Sequence, residues 1–244
     1  MKIDLLCSGS KGNSCLIRSH NTSILIDCGS TKRYLMSSLH SVHQKVDDLD
    51  ALLVTHGHTD HISQLKHFDA LPVYSYCDLD VRDHHCVCPL EKFVIKDLCI
   101  TVIGLSHDAP HTVGYVLEDD KEKLVYITDT GYLPNHEKHL LTNADHYIFE
   151  SNHDLQMLMQ TSRPMFVKQR ILSDSGHLSN EDSSMHLSDL INTKTKNIVL
   201  AHLSEEANLP QMALDVLYDT LNKKRLSSSK LNILAADQFK IITL

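Results

Sequence analysis

The chain has 244 residues, of which 42% are hydrophobic, so it can bury a sizeable core within one α/β or sandwich domain. Its formal net charge of −8 means that a polyanionic partner must meet a local basic strip, because the global field repels it. The seven cysteines are odd in number and scattered, and no stretch has the layout of a secretory signal or the length of a membrane span. We therefore expect a single domain over residues 1–244, in a reducing cytoplasm and without membrane attachment.

Short β-type runs alternate with stretches of helical periodicity along the chain. The runs predicted as strands are 3–6, 14–17, 23–26, 51–54, 73–76, 99–103, 113–117, 123–127, 146–149, 197–201 and 233–236. The stretches predicted as helices are 31–41, 63–68, 152–159, 180–191 and 209–223. This alternation favours two sheets covered by helices, so we predict a four-layer αββα sandwich, in which two diverged halves could be hidden.

A dense group of metal-type side chains follows the buried run 51–54. His56, His58, Asp60 and His61 lie within six residues. Imidazole nitrogen and carboxylate oxygen suit zinc, manganese or iron, and four such groups exceed what one tetrahedral catalytic ion takes from one segment. The segment therefore predicts two divalent ions, zinc or manganese. The plainer interpretation is a polar loop at a helix entry with incidental histidines.

A second run, residues 83–88 (DHHCVC), also carries side chains that zinc favours. It lacks the second pair of ligands that a structural zinc site needs. We predict that this run is a surface loop.

The HxHxDH spacing of residues 56–61 resembles the ligand motif of the metallo-β-lactamase superfamily. Further segments resemble other motifs of that superfamily, namely 24–29 (ILIDCG), 106–110 (SHDAP), 127–131 (ITDTG) and 200–204 (LAHLS). The ligands that this resemblance implies are His56, His58 and His107 for the first ion, Asp60, His61 and His202 for the second, and Asp129 for both. It also implies that Asp27 supports the ligand loop by hydrogen bonding and does not bind metal.

Two neighbouring divalent cations favour hydrolysis over redox chemistry. They can lower the pKa of a bridging water until hydroxide exists at neutral pH, and they can steady the attacking and leaving oxygens. An oxygen-reducing diiron relative usually carries a carboxylate where His58 stands. The resemblance thus points to a hydrolytic centre.

Three more segments resemble the YycJ/WalJ-like metallohydrolases, which are regarded as exonucleases. They are residues 7–14 (CSGSKGNS), 150–154 (ESNHD) and 170–180 (RILSDSGHLSN). The chain departs from that family at Gln169 and Ser175, where basic residues are common, and this weakens the local basic strip that Arg163, Lys168 and Arg170 form. The resemblance implies a phosphodiesterase that acts on nucleic acid, most plausibly a DNA exonuclease.

Within this framework several residues become candidates for catalysis and substrate contact. His177 is predicted to donate a proton to the leaving oxygen, although a hydrogen bond at a helix entry would be the plainer role. Asp60 is a hypothetical general base in addition to being a ligand. The residues predicted to contact substrate are Lys11, Asn13, His153, Arg163, Lys168 and Arg170.

Two other functions stay open at this point. The same dinuclear chemistry would serve a small-molecule hydrolase acting on a thioester, lactone or lactam. A regulatory metal-binding module without turnover is the third possibility, and the presence of all seven ligand positions argues against it.

Overall fold

The computed structural model describes residues 1–134 and 136–244, and the chain separates into two compact units. The first unit comprises Met1–Gly104, Ala109–Lys121 and Gln238–Leu244, and the second comprises Leu105–Asp108 and Glu122–Asp237. A single domain over residues 1–244 stays a prediction.

The described residues form fourteen strands and seven α-helices. The strands are β1 (Lys2–Cys7), β2 (Ser14–Arg18), β3 (Ser23–Ile26), β4 (Ala51–Val54), β5 (Val73–Ser75), β6 (His84–Cys86), β7 (Lys92–Ile95), β8 (Leu98–Gly104), β9 (Val113–Glu118), β10 (Lys123–Ile127), β11 (His146–Glu150), β12 (Asn197–Ala201), β13 (Asn232–Ala235) and β14 (Ile242–Thr243). The helices are α1 (Lys32–Ser41), α2 (Thr59–Ile62), α3 (Lys138–Leu141), α4 (Leu155–Gln160), α5 (Met165–Ile171), α6 (Asn180–Leu190) and α7 (Pro210–Lys223).

The first unit contains a mixed sheet with the strand order β14-β1-β2-β3-β4-β5-β6. Strands from β14 to β3 pair antiparallel, whereas β3, β4, β5 and β6 pair parallel. All four residues of β4 are buried, as is typical of a parallel strand covered on both faces. Because β3 and β4 are parallel, their carboxyl ends meet at the same edge, which brings Asp27 next to the segment that follows Val54. The strands β7, β8 and β9 of this unit pair antiparallel.

The second unit contains the parallel strands β10, β11, β12 and β13. Helices α4, α5 and α6 connect β11 to β12, and α7 connects β12 to β13. Helix α7 buries Ala213, Leu217 and Leu221, which recur every four residues and so lie on one face. The carboxyl ends of the parallel strands share one edge, where side chains for chemistry are usually placed in such sheets.

The structure corrects two of the sequence predictions. Residues 84–86, predicted within a surface loop, form the edge strand β6, because their backbone pairs with β5. Residues 63–68, which were predicted as a helix, contain only a 3₁₀ turn at Leu65–His67. The segment around Lys168, for which no element was predicted, is the helix α5. Among the described helices, none has the length and apolar character needed to cross a membrane.

Candidate metal centre and its surroundings

The first unit carries the predicted ligand loop directly after β4. His56 and His61 are buried, whereas His58 and Asp60 are partly exposed. The ring centroid of His56 lies 4.7 Å from that of His58 and 4.1 Å from that of His61. Nε2 of His61 lies 3.6 Å from Oδ2 of Asp60. The loop therefore brings its four predicted ligands into one cluster.

Asp27, just after β3, holds this loop in place. Its Oδ2 accepts a hydrogen bond from Nδ1 of His61 at 2.8 Å, and its Oδ1 accepts one from the backbone N–H of Thr55 at 2.8 Å. Burial raises the pKa of Asp27, while His61 and Thr55 act in the opposite direction. As a carboxylate, Asp27 only accepts, so the proton of the His61 ring lies on Nδ1 and the lone pair lies on Nε2.

Thr55 fixes the position of the ring proton of His56 in a similar way. Its hydroxyl donates to Oδ2 of Asp27 at 2.9 Å and lies 3.1 Å from Nδ1 of His56. Because the hydroxyl has one proton and gives it to Asp27, it accepts from His56. The His56 ring thus also carries its proton on Nδ1 and has a lone pair on Nε2.

Asn13, predicted to contact substrate, is fully buried and orients the ligand side chains. Its Nδ2 lies 2.9 Å from Nε2 of His61 and donates to Oδ2 of Asp60 at 3.3 Å. Its backbone N–H donates to the Asp60 carbonyl at 2.8 Å. A methyl group on Gly29 would overlap that carbonyl, so the loop can approach only a glycine here.

The second unit brings together the remaining predicted ligands. Nε2 of His202 lies 3.4 Å from Oδ1 of Asp129, and Nε2 of His107 lies 3.9 Å from the same oxygen. One potential ligand atom each from Asp129, Glu150, His177 and His202 lies within 4.8 Å of all the others. This group has the composition of a metal-binding cluster.

Glu150, the last residue of β11, organises this cluster. Its Oε1 accepts from Nδ1 of His177 at 2.7 Å and from Nδ1 of His202 at 3.1 Å, and its Oε2 accepts from the backbone N–H of Thr130 at 2.8 Å. Burial raises the pKa of Glu150, but the histidine contacts outweigh it and lower the value to about 2. Sequence reasoning assigned no role to Glu150. The sequence signal that could have indicated its role is the position of an acidic residue directly at the end of a buried β-type run.

His107 is oriented by a backbone carbonyl instead of a carboxylate. Its Nδ1 donates to the carbonyl of Gly176 at 3.1 Å, which leaves the lone pair on Nε2. Burial lowers the pKa of His107, although Asp129 opposes this effect, so the neutral form is favoured. A metal-ligating histidine needs that neutral form.

The tautomers in both units fit divalent metal ions. Four histidines share this arrangement, namely His56 and His61 in the first unit and His107 and His202 in the second. In each ring the Nδ1 proton points at an oxygen, and the unprotonated Nε2 has a lone pair that can bind a metal ion. Oxygen partners at the distal nitrogen are the usual support of metal-ligating histidines. The donor set of neutral imidazoles and carboxylates is one that zinc and manganese accept.

Three of the predicted residues have strained backbone. Asp27, Asp129 and His202 adopt φ values of 58°, 57° and 55°, although none is glycine. Each lies just beyond a parallel strand, at the ends of β3, β10 and β12 respectively. Such conformations cost roughly 1–3 kcal/mol each and concentrate at functional sites, where the surrounding contacts enforce them.

The predicted basic residues of the second unit differ in availability. Lys168 is buried, and its Nζ donates to the carbonyls of Met159 and Thr161 at the end of α4. Arg170 is 59% exposed and pairs with Asp108 at 2.6 Å, and Arg163 pairs with Glu206 at 2.8 Å. The ammonium of Lys168 thus has a structural task, whereas Arg170 can reach solvent. In the first unit, Lys11 is exposed.

The comparisons with known proteins identify the superfamily. The family described as "Beta-lactamase superfamily domain" matches residues 22–202 of this chain. The chain belongs to the metallo-β-lactamase superfamily. Within that superfamily it is 33% identical over 239 residues to the exodeoxyribonuclease YycJ of Bacillus anthracis, covering 92% of this chain and 90% of the relative. It is 35% identical over 228 residues to the exodeoxyribonuclease WalJ of Streptococcus pneumoniae, covering 87% and 85%.

A solved structure supports the same fold. The metallo-β-lactamase fold protein YhfI from Bacillus subtilis matches with a TM-score of 0.73 at 19% identity, covering 100% of this chain and 98% of that one. The predicted metallo-β-lactamase fold, an αββα sandwich, is thereby confirmed, as is the predicted resemblance to the YycJ/WalJ-like family. Membership of this superfamily, together with the similarity to the exodeoxyribonucleases YycJ and WalJ, identifies the chain as a metal-dependent hydrolase.

Proposed function

We propose that this chain is a DNA exonuclease of the cytoplasm that hydrolyses phosphodiester bonds with two divalent ions, zinc or manganese. The observation that carries the proposal is the pairing of His177 with Glu150, next to His202. It provides a proton-carrying imidazole for a sugar oxygen, which is a poor leaving group without protonation. A thioester needs less acid assistance, because a thiol has a pKa of about 8.5. The names of the YycJ and WalJ relatives support the same substrate class.

The proposed metal ligands are the seven residues that the motifs imply. Bound divalent ions supply positive charge that lowers the pKa of water and offsets the charge of phosphoryl oxygens. The Nδ1–H tautomers described above keep the Nε2 atoms of the supporting histidines suited to that role. Asp27 and Glu150 contribute by fixing ring orientation, at His61 in the first unit and at His202 in the second.

Proton transfer in this proposal uses two residues of the chain. Asp60 accepts the proton of the attacking water and is also a ligand. His177 transfers the proton on Nε2 to the departing sugar oxygen, and the Glu150 carboxylate at Nδ1 stabilises the protonated ring. The oxygen of the attacking water bonds to phosphorus while the bond between phosphorus and the sugar oxygen breaks, which leaves a hydroxyl on one product and a phosphate on the other.

Substrate contacts are proposed for exposed or cavity-facing groups. The cationic side chains of Lys11 and Arg170 contact the phosphate backbone of the substrate. Arg163 adds a further contact when its ion pair with Glu206 breaks. We do not propose direct contacts for Lys168 or Asn13, because their polar groups hold neighbouring parts of the chain. A substrate contact by His153, which lines a cavity beside His177, stays a prediction from the sequence.

Nuclease activity is tested with metal-reconstituted protein and end-labelled duplex DNA, single-stranded DNA and RNA. We expect release of nucleotides from one end of DNA. The Asp60→Ala/His61→Ala variant should lose metal and activity. The matched control is His40→Ala/Asp47→Ala, which changes exposed residues of the same types in the same unit and should keep both. Inactivity on all three nucleic acids, together with turnover of S-lactoylglutathione, would contradict the proposal and favour a thioester hydrolase.

A further inference from the structure

Phe166 differs from the other phenylalanines of the chain in its exposure. It is 71% exposed, and its ring contacts no other ring among the described residues. The other four are either fully buried or packed against a tyrosine ring, namely Phe68, Phe149, Phe93 and Phe239. An aromatic ring displayed in this way is typical of a surface that binds a partner, because such rings offer much apolar area and stack on other flat groups.

The ring lies on the outer face of α5. This helix turns Lys168 and Ile171 inward, whereas Phe166 and Arg170 are exposed. Residues four apart lie on the same face of a helix, and four residues span about 6 Å along its axis. Phe166 and Arg170 therefore form an exposed pair of an aromatic ring and a guanidinium group.

Arg170 places this pair beside predicted metal ligands of the second unit. Its Nη1 donates to Oδ2 of Asp108 at 2.6 Å, and Oδ1 of Asp108 lies 3.1 Å from Nε2 of His107. Because Arg170 is 59% exposed, the other N–H groups of its guanidinium can reach a phosphate. Leu172, just after the helix, lines a cavity of about 560 Å³ together with His177. A strand held by Arg170 thus lies close to His107 and His177.

The local charge favours a nucleic acid over a second copy of the chain as the partner of this face. Residues 155–173 carry Arg163, Lys168 and Arg170 and contain no aspartate or glutamate, although the net charge of the chain is −8. Arg163 and Arg170 keep exposed surface beside their acidic partners. In a twofold interface a surface meets itself, so a second copy would bring these arginines against each other. A phosphate backbone complements them, and cations next to an exposed aromatic ring are the usual combination for single-stranded nucleic acid.

We propose that Phe166 stacks on a base of an unpaired substrate strand while Arg170 binds an adjacent phosphate. The inference rests on the proposed nuclease function and specifies the form of the substrate. Bases within a duplex are already stacked on both faces, and unstacking them costs free energy. Single-stranded DNA and duplexes with an unpaired overhang are therefore bound more tightly than blunt duplexes. Every base has a flat face, so this contact tolerates any sequence.

Fluorescence of a single tryptophan tests the contact directly. The chain contains no tryptophan, so Phe166→Trp introduces one indole at the proposed position. The probe is oligothymidylate with phosphorothioate linkages, which resist cleavage, added to metal-reconstituted protein. We expect a base stacked on the indole to quench its fluorescence, and a blunt phosphorothioate duplex to quench it less. The matched control is Met185→Trp, at a 50% exposed position of α6 in the same unit, whose fluorescence should not change.

Phe166→Ala provides the second measurement. Loss of one stacked base should weaken the binding of oligothymidylate about tenfold, close to 1.4 kcal/mol, and should affect a blunt duplex less. The melting temperature should stay near that of the wild type, because the side chain is exposed. Met185→Ala should leave the affinity unchanged. An abasic site moved along the strand should weaken binding to the wild type at one position, and at that position it should have no effect on Phe166→Ala.

The outcomes separate this inference from the proposed function. Cleavage of DNA, with unchanged fluorescence of Phe166→Trp and unchanged affinity of Phe166→Ala, would overturn the stacking role and leave the nuclease intact. Quenching by unpaired DNA without cleavage of any nucleic acid would overturn the nuclease and support the strand-binding surface. A wild-type dimer in analytical ultracentrifugation that dissociates in Phe166→Ala would show that a second copy covers the ring, and would refute the proposal.

Discussion

Glu150 is shared between two histidines with different proposed tasks. One oxygen atom accepts hydrogen bonds from both His177 and His202, and the carboxylate is completely buried. A buried carboxylate with such partners keeps its charge at all ordinary pH values, in accord with its pKa of about 2. In the proposed mechanism, metal affinity and proton donation in the second unit therefore depend on the same side chain.

Replacing Glu150 with glutamine should impair both tasks at once. The amide keeps the shape but removes the negative charge, so metal affinity should fall about 10-fold to 100-fold, as is usual when the partner of a ligating histidine is lost. Metal content after dialysis against a chelator, measured by atomic emission, tests this expectation. Glu137→Gln, at another buried carboxylate of the unit, serves as the control. Equal metal retention in the two variants would disprove the role of Glu150.

His177→Ala should separate chemistry from metal binding. We expect kcat on DNA to fall about 10²-fold to 10⁴-fold, the usual contribution of a general acid, because the leaving oxygen loses its proton donor. Metal content, measured on the same samples, should equal that of the wild type. A loss of metal in His177→Ala would identify His177 as a ligand and refute its assignment as proton donor.

His153 makes a specific contribution to the pH dependence of folding. Its folded pKa of about 4 lies below the ordinary value of 6.5, so between pH 6.5 and pH 4 the unfolded chain binds a proton that the folded protein does not. The folded state therefore loses stability as the pH falls through this window and is unaffected by His153 above it. The charged or titratable groups that act on the ring are Glu150, Asp154, His177 and Asp182.

This contribution is measurable as a difference between two proteins. From pH 7 to pH 5, wild-type protein should lose about 2 kcal/mol more of its unfolding free energy than His153→Phe, because 1.36 kcal/mol corresponds to one pKa unit. Urea unfolding at both pH values provides the measurement. The exposed His139→Phe variant should follow the wild type. Parallel losses in wild type and His153→Phe would show that His153 titrates normally.

At the level of elements, Lys168 joins two helices. It belongs to α5, yet its ammonium binds the carbonyls of Met159 and Thr161 at the end of α4. The last carbonyls of a helix have no partner within the helix, and a cation there also interacts favourably with the helix dipole. A buried lysine that meets these carbonyls stabilises the α4–α5 connection.

Lys168→Met should therefore act on stability. Loss of two hydrogen bonds from a buried charged donor should lower the unfolding free energy by roughly 1–3 kcal/mol, as measured by urea denaturation. The control is Arg163→Met, which removes a partly exposed ion pair with Glu206 and should cost about 0–1 kcal/mol. Similar small changes in both variants would argue against the structural role, and reduced DNA affinity in folded Lys168→Met would restore the substrate contact predicted from sequence.

At the level of the whole molecule, electrostatics limits how the protein can hold DNA. The net charge is −8, and the cations proposed for phosphate contact are Lys11, Arg163 and Arg170. With at most three phosphates neutralised, the slope of log affinity against log salt concentration should be no steeper than about −3. Fluorescence anisotropy with labelled duplex measures this slope, and Arg170→Gln should make it shallower by about 1. A slope near −6 would require a different binding surface.

The sequence predicted what depends on local spacing. The ligand types in residues 56–61 are close enough along the chain for their pattern to indicate a metal site, and most strands were predicted because their apolar runs are bounded by polar residues. Contacts between distant segments were not predictable in this way. The proton network of Glu150, the orienting role of Asn13 and the burial of Lys168 depend on which segments pack together, and their residue types suit exposed sites equally well.

Asp174, Glu181 and Asp182 line a cavity of the second unit that His177 also lines, and their charges bear on how the proposed reaction cycle would end. A phosphodiester carries one negative charge, whereas a terminal phosphate carries about 1.5–2 at pH 7. If the chain releases mononucleotides as proposed, Asp174, Glu181 and Asp182 would repel the new product more strongly than the strand from which it came. Charge generated by hydrolysis would thus help to expel the product, and free mononucleotides would be weak inhibitors of an enzyme that can move on to the next residue of the strand.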